Sequence, residues 1–159
     1  MKVAIVMGSK SDYDEVYKAE QILDDFGIEH VSRVISAHRT PKIAADFAEK
    51  AEEEGFEVLI CAAGKAAHLA GVMAGKSPLP VIGIPMKTSD MGGMDSLLST
   101  VQMPKGVPVA TVAIGGCENA ALLAVQILSV KYPELRQAFK DYKAKMEEDT
   151  IKADEEIND

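Results

Sequence analysis

Val31-Ser32-Arg33-Val34-Ile35-Ser36-Ala37-His38-Arg39-Thr40-Pro41 is the stretch on which the reading of this chain turns. Its first half, apolar except for Ser32 and Arg33, has the character of a short strand, and Ile43-Ala44-Ala45-Asp46-Phe47-Ala48 just beyond it has helical spacing. Ala37-His38-Arg39 therefore falls at the carboxyl end of a strand, in the turn that starts a helix. Ser36 or Thr40 is available there as a cap, and Pro41 stands near the first helical position. Open α/β sheets bind their ligands at such turns. An imidazole beside a guanidinium offers a proton carrier and an anion clamp together. One His-Arg pair is equally what a polar surface turn contains, so the decision rests on the rest of the chain.

The same strand, turn and helix recur on both sides. Residues 2–7 form a β-branched run ending at Gly8-Ser9-Lys10-Ser11-Asp12, and residues 13–26 then carry helical spacing closed by Gly27. Strand 29–35 leads to helix 41–54, closed by Gly55, and strand 57–62 leads to helix 66–74, closed by Gly75. Residues 80–85 read as a buried strand bracketed by prolines, followed by a long turn over 86–93 and a helix over 94–101. Residues 107–114 supply a fifth strand and 118–130 a fifth crossover helix. Repeated βα units of this kind predict an α/β fold of three layers: a flavodoxin-like, doubly wound, five-stranded parallel sheet in the order 2-1-3-4-5. Residues 1–131 are expected to form a single catalytic domain. Residues 132–159 have no strand left to serve and read as an extra C-terminal helix. Its stripe of Leu135, Phe139, Tyr142 and Met146 needs a surface to cover, on its own domain or on a neighbouring subunit.

Composition narrows the function classes. The chain has 159 residues, 47% of them hydrophobic, enough for one ordinary core without staples. Every apolar run is broken well short of about 18 residues and no signal-peptide layout opens the chain, so a soluble cytoplasmic protein without a membrane span is expected. A formal charge of −8 and the lack of a basic stripe argue against a nucleic-acid partner, and the absence of Trp argues against stacking platforms. Cys61 and Cys117 fit neither a disulfide framework nor a metal spacing.

The turns after the five strands are Gly8-Ser9-Lys10-Ser11-Asp12, Ser36-Ala37-His38-Arg39, Ala63-Gly64-Lys65-Ala66-Ala67-His68, Pro85-Met86-Lys87-Thr88-Ser89 and Gly115-Gly116-Cys117-Glu118-Asn119. A doubly wound sheet sets all five on one edge, so two of the three histidines converge with a Gly-Ser turn at one crevice. Gly8, Ser9 and Ser11 offer amides and hydroxyls suited to a phosphate, or simply cap a helix. Asp12 would repel that phosphate and is better suited to ribose hydroxyls. His68, among alanines, also fits a satisfied core histidine, and Lys65 fits a solvent-facing side chain. Gly64-Lys65 lacks the earlier glycine and the following Ser or Thr of a nucleotide P-loop, no G-x-G-x-x-G occurs, and the histidines lack metal spacing.

Met7-Gly8-Ser9-Lys10-Ser11-Asp12, Ser36-Ala37-His38-Arg39-Thr40-Pro41, Ala66-Ala67-His68-Leu69 and Asp95-Ser96-Leu97-Leu98-Ser99 with Gln102-Met103-Pro104 together resemble the bacterial N5-carboxyaminoimidazole ribonucleotide mutase family of purine biosynthesis (class I PurE), from about Val3 to Leu128. The resemblance implies an isomerase that moves a carboxylate from the exocyclic nitrogen of an aminoimidazole ribonucleotide to ring carbon C4, with no cofactor and no metal. It implies His38 as the acid-base residue, with Ser9, Asp12 and Arg39 on the ribose 5′-phosphate portion of the nucleotide. The substrate-binding set expected around them is Gly8, Ser11, Ser36, Gly64, Ala66 and His68. It also implies a homo-octamer, and so a tail helix packing on a neighbour. Ala62, Lys65 and Ala70 depart from the family's usual Gly, Gly and Pro. The alternatives are the related animal-type carboxylase, which takes free carbon dioxide and has Lys after the first His, and a flavodoxin-like binding module without catalysis. The second would call for loop aromatics or an acidic cluster that this chain lacks.

Overall fold

Apolar residues fill both faces of β1 (Lys2–Met7): Val3, Ile5 and Met7 belong to one buried cluster, and Ala4 and Val6 to another on the opposite side. A strand buried on both faces belongs in the middle of a parallel sheet, and β1 is flanked by β2 (Glu29–Val34) and β3 (Val58–Ala63), both parallel to it. β4 (Val81–Pro85) and β5 (Ala110–Thr111) complete an all-parallel sheet of order β2-β1-β3-β4-β5. The computed structural model describes residues 1–158.

α1 (Tyr13–Asp25) and α5 (Cys117–Leu128) cover the face that carries Val3, Ile5, Ile60 and Ile82. α2 (Pro41–Lys50) and α3 (Leu69–Ala74) cover the other, against Ala4, Val6, Leu59 and Cys61. α4 (Met94–Val101) bridges β4 and β5, and α6 (Pro133–Asn158) ends the described chain. None of these helices is long and apolar enough to cross a membrane.

Three elements differ from the sequence reading. β5 is two residues long, where eight are expected. Its register pairs Ala110 with Ile82, which would set Pro108 beside Pro80 and Ala113 beside Pro85, and prolines have no N–H to give a ladder. Only the isolated bonds from Val112 N–H to the Gly83 carbonyl and from Gly115 N–H to the Pro85 carbonyl continue it. α3 begins at Leu69 instead of residue 66, because Lys65 has a left-handed backbone (φ 57°) and His68 N–H closes a tight turn onto the Ala66 carbonyl. α2 ends at Lys50, its last turns unwinding to Gly55 at φ 82°.

The tail stripe divides. Leu135 is buried in the domain's own core, and Phe139 and Tyr142 pack at a tilt against Phe26 of the α1 end, at 6.3 and 5.8 Å between centroids. Met146 is 53% exposed, and so is Ile151. The expectation of a neighbouring subunit therefore concerns the helix beyond Tyr142.

Glu57 fastens this tail to the sheet. Its carboxylate accepts from Lys131 Nζ at 2.6 Å and Tyr132 Oη at 3.0 Å, and the terminal ammonium lies 3.7 Å away. Burial pushes its pKa up, but the Lys131 and Tyr132 hydrogen bonds outweigh that and hold it below the usual glutamate range. A depressed carboxylate stabilises the fold above its unfolded pKa and loses that contribution as pH falls through the folded value. Glu57→Gln is expected to lower stability by about 1–2 kcal/mol at pH 7. The deficit should begin to shrink as pH falls below the ordinary glutamate range and vanish only once it passes the depressed folded value, where the wild-type carboxyl is itself protonated. Urea unfolding across this pH range checks it.

Candidate active site

A cleft of about 570 Å³ opens at the carboxyl ends of β1 to β4, over the point where strand order reverses between β1 and β3. All ten residues expected from the sequence line it: Gly8, Ser9, Ser11 and Asp12 after β1, Ser36, His38 and Arg39 after β2, and Gly64, Ala66 and His68 after β3.

The β1 loop is ordered from within. Ser9 is extended and caps a short 3₁₀ turn over Lys10–Asp12, its Oγ accepting from the Ser11 amide at 3.2 Å and from Ser11 Oγ at 2.8 Å. The β2 loop is held by Thr40, whose hydroxyl accepts from Ser36 N–H and donates to the Ser36 carbonyl. Ser36 Oγ in turn accepts from Arg39 N–H at 3.1 Å and from Arg39 Nε at 3.4 Å. Arg39 then reaches across to the β1 loop, one terminal nitrogen donating to the Gly8 carbonyl at 2.7 Å. Two of the five guanidinium N–H donors are used in this way, on neutral acceptors, which leaves the charge unpaired at the cleft.

His38 and His68, 30 residues apart, meet at the cleft. Nε2 of His38 lies 2.8 Å from Nδ1 of His68, and the rings stand edge to face, 4.9 Å between centroids at 84°. That distance holds one proton, so one ring donates and the other accepts, and the contact fixes which nitrogen of each ring remains free for other work. Both side chains stay exposed. His68 stands at the first position before α3, its side chain making no capping hydrogen bond, and is exposed rather than a core histidine.

Asp12 is half-buried beside them. Burial raises its pKa, and a hydrogen bond from Ser11 lowers it less than burial raises it. Burial also pushes the thiols of Cys61 and Cys117 up, to about 12 and about 11, so both are protonated at neutral pH and neither is an activated nucleophile.

One expected turn stands apart. Gly115-Gly116-Cys117-Glu118-Asn119 supplies no lining residue, because β5 is the far edge of the sheet and its loop lies beyond β4 from the reversal point. In its place Lys87, Thr88 and Ser89 of the β4 loop complete the wall, together with Lys65. The sequence reading located the β4 turn, but no motif within it marked these side chains.

Comparison with known proteins adds an independent line. A family model described as AIR carboxylase matches residues 2–149. The N5-carboxyaminoimidazole ribonucleotide mutase of Saccharolobus solfataricus is 53% identical over 150 residues, spanning 94% of this chain and 95% of that protein. The Escherichia coli protein of the same name is 50% identical over 144 residues, 89% of this chain and 85% of its own length. Among solved structures, PurE of Treponema denticola superposes with a TM-score of 0.86 at 30% identity, covering 98% of this chain and 97% of that one.

The environment of Asp12 gives a measurable sign. A carboxyl whose folded pKa is raised is harder to ionise in the folded protein, so its ionisation opposes folding as pH rises above the unfolded value. Asp12→Asn is expected to raise the melting temperature at pH 7, with the gain vanishing near pH 3. A lower melting temperature at pH 7 would mean that the carboxylate holds the loop together.

Proposed function

The chain belongs to the AIR carboxylase family, and from that premise we infer that it is an N5-carboxyaminoimidazole ribonucleotide mutase, an isomerase of purine biosynthesis that moves the carboxylate of its substrate from the exocyclic nitrogen to ring carbon C4. The observation that carries the reading at the level of the site is the proton-sharing His38–His68 pair in one cleft with the Arg39 clamp and the Ser9 turn.

The roles follow from the chemistry. Ser9, Ser11 and Arg39 take the 5′-phosphate, where hydroxyls, amides and a permanent charge coincide. Asp12, an acceptor that would repel phosphate, takes ribose hydroxyls. Gly8, Ser36, Gly64 and Ala66 shape the floor, small enough for the imidazole ring to approach the backbone. The reaction breaks the bond between the exocyclic nitrogen and the carboxyl carbon, and the nitrogen keeps the electron pair and takes a proton. Carbon dioxide remains in the cleft. C4 attacks it to form the new carbon–carbon bond, and the proton displaced from C4 returns to the base. One proton is given and one recovered, so a single acid-base group closes the cycle. His38 is that group, and His68 acts through it by fixing which nitrogen carries the proton. A positioned base of this kind is worth about 10²–10⁴-fold, roughly 3–5 kcal/mol of barrier.

The enzyme works as a homo-octamer in the cytoplasm on this reading. Exposed His38 and His68, and the exposed apolar residues Met94, Leu98 and Val101 along α4, support an assembly in which neighbours cover the site. The free, buried cysteines suit a reducing compartment.

Two experiments test the assignment. His38→Asn keeps the size of the side chain and one donor but cannot cycle a proton. Turnover should fall 10²–10⁴-fold while product nucleotide binds within a few-fold of wild type. Substrate labelled in its carbamate carbon, supplied in unlabelled bicarbonate, should leave most label in the C4 carboxylate, and mainly unlabelled product would point to a carboxylase. Separately, Arg39→Leu removes a charged donor and should weaken nucleotide binding about 10–100-fold by calorimetry.

A further inference from the structure

Past the end of β2, the Ile35 amide still donates to the Met7 carbonyl of β1 at 2.9 Å, and the next amide is that of Ser36. Thr40 takes it. Its Oγ1 accepts from Ser36 N–H at 3.0 Å and donates to the Ser36 carbonyl at 2.9 Å, and the Thr40 amide donates to the same carbonyl at 2.9 Å. One residue therefore holds both main-chain polar groups of Ser36.

Thr40 stands at the N-cap position of α2, where a threonine hydroxyl ordinarily accepts from an amide of the first helical turn. Here it makes no such bond, and the hydroxyl goes to the loop instead. Thr40 is half-buried and does not line the cleft, so any part it plays there is through another residue. The loop carries two functional side chains, and they are supported differently. Ser36 Oγ accepts from Arg39 N–H at 3.1 Å and from Arg39 Nε at 3.4 Å, so the course of Arg39 toward the Gly8 carbonyl starts at Ser36. The His38 ring is held from the β3 loop, by His68 at 2.8 Å. Freeing Ser36 would therefore loosen Arg39 and leave His38 its partner.

We propose that Thr40 is a positioning residue for nucleotide recognition: acting through Ser36, its hydroxyl sets the Arg39 guanidinium for the phosphate and leaves proton transfer at His38 alone. The inference rests on the function proposed above for the identity of the nucleotide, but not for the placing of Arg39. The physical basis is preorganisation. A long arginine side chain loses rotamer freedom when it meets an anion, and a guanidinium already tied at its root and its tip loses less. Ser36 is the tie at the root, and Thr40 fixes the backbone from which that tie is made. An interaction that presents a binding group equally to substrate and to transition state acts on KM and not on kcat.

The test uses Thr40→Val, which keeps the branched shape and removes the hydroxyl, Thr40→Ser, which keeps the hydroxyl, Ser36→Ala and the double variant T40V/S36A. Thr40→Ala stands in should valine not assemble. Thr40→Val should raise KM and weaken product-nucleotide binding about three- to tenfold, with kcat within about twofold of wild type. Thr40→Ser should stay within about twofold in all three. Ribose 5-phosphate, which carries the anion without the ring, should lose affinity by the same factor as the nucleotide. Because Thr40 acts through Ser36, adding T40V to Ser36→Ala should change binding less than about twofold. The Nε–H resonance of Arg39, one of three arginines in the chain, reads the guanidinium without any ligand and should exchange with solvent faster in Thr40→Val. A fall in kcat with binding intact would mean that Thr40 serves His38, and the proposal is wrong. It is equally overturned if Thr40→Ser is as impaired as Thr40→Val, if T40V costs as much without the Ser36 hydroxyl as with it, or if Thr40→Val binds as wild type does. A wild-type protein that does not bind the aminoimidazole nucleotide defeats the proposed function alone, and ribose 5-phosphate with the Arg39 resonance still decides the role of Thr40.

Discussion

The placing of β1 between β2 and β3 is the constraint from which the site follows. Because the chain leaves β1 in one direction to form β2 and returns on the other side to form β3, two loops diverge above the centre of the sheet and leave a crevice between them. The right-handed crossover rule then puts the connecting helices on opposite faces. Each of those helices buries its apolar side against a strand with no polar face, so Val3, Ile5, Met7, Ala4 and Val6 hold both layers at once. The strand core is rigid for this reason, and the loops that carry the polar groups can be short and well placed.

Polar order in the cleft is built by the loops bonding to each other. Thr40 fixes Ser36, Ser36 fixes Arg39, and Arg39 bridges to the Gly8 carbonyl of the neighbouring loop. A guanidinium held in this way is presented before any ligand arrives, and preorganisation of this kind is where binding groups gain most. The cleft also holds features that work against folding: the raised pKa of Asp12 and the left-handed backbone of Lys65. Such features concentrate at functional sites because the surrounding structure tolerates them there.

The tail shows how one stripe can serve two ends. Leu135, Phe139 and Tyr142 lie where α6 still runs over α1 and α5, and their burial belongs to the domain. Past Tyr142 the helix outruns the domain: Met146 keeps the apolar spacing but is exposed, and Ile151, five residues further on, is exposed off the stripe. Periodicity alone gives the face of a helix, not the body that covers it.

Much of the site was legible because it is written locally. Strand, turn and helix are marked by side-chain period and by Gly and Pro, and in a parallel sheet every strand's carboxyl end faces the same way. Ser9, Asp12, Ser36, His38, Arg39, Gly64 and His68 could therefore be assigned to one edge from sequence alone. What depends on distance between segments was not legible. The two-residue extent of β5 follows from a register that sets Pro108 beside Pro80, and the exclusion of the 115–119 turn follows from β5 lying at the far edge. The His38–His68 contact and the Lys65–Asp90 pair join residues 30 and 25 positions apart. The sequence by itself determined which residues stand at the ends of strands, because that is a matter of local period and punctuation. Only the tertiary structure decided which of them touch, because contact is set by strand order, register and the packing of one loop on the next.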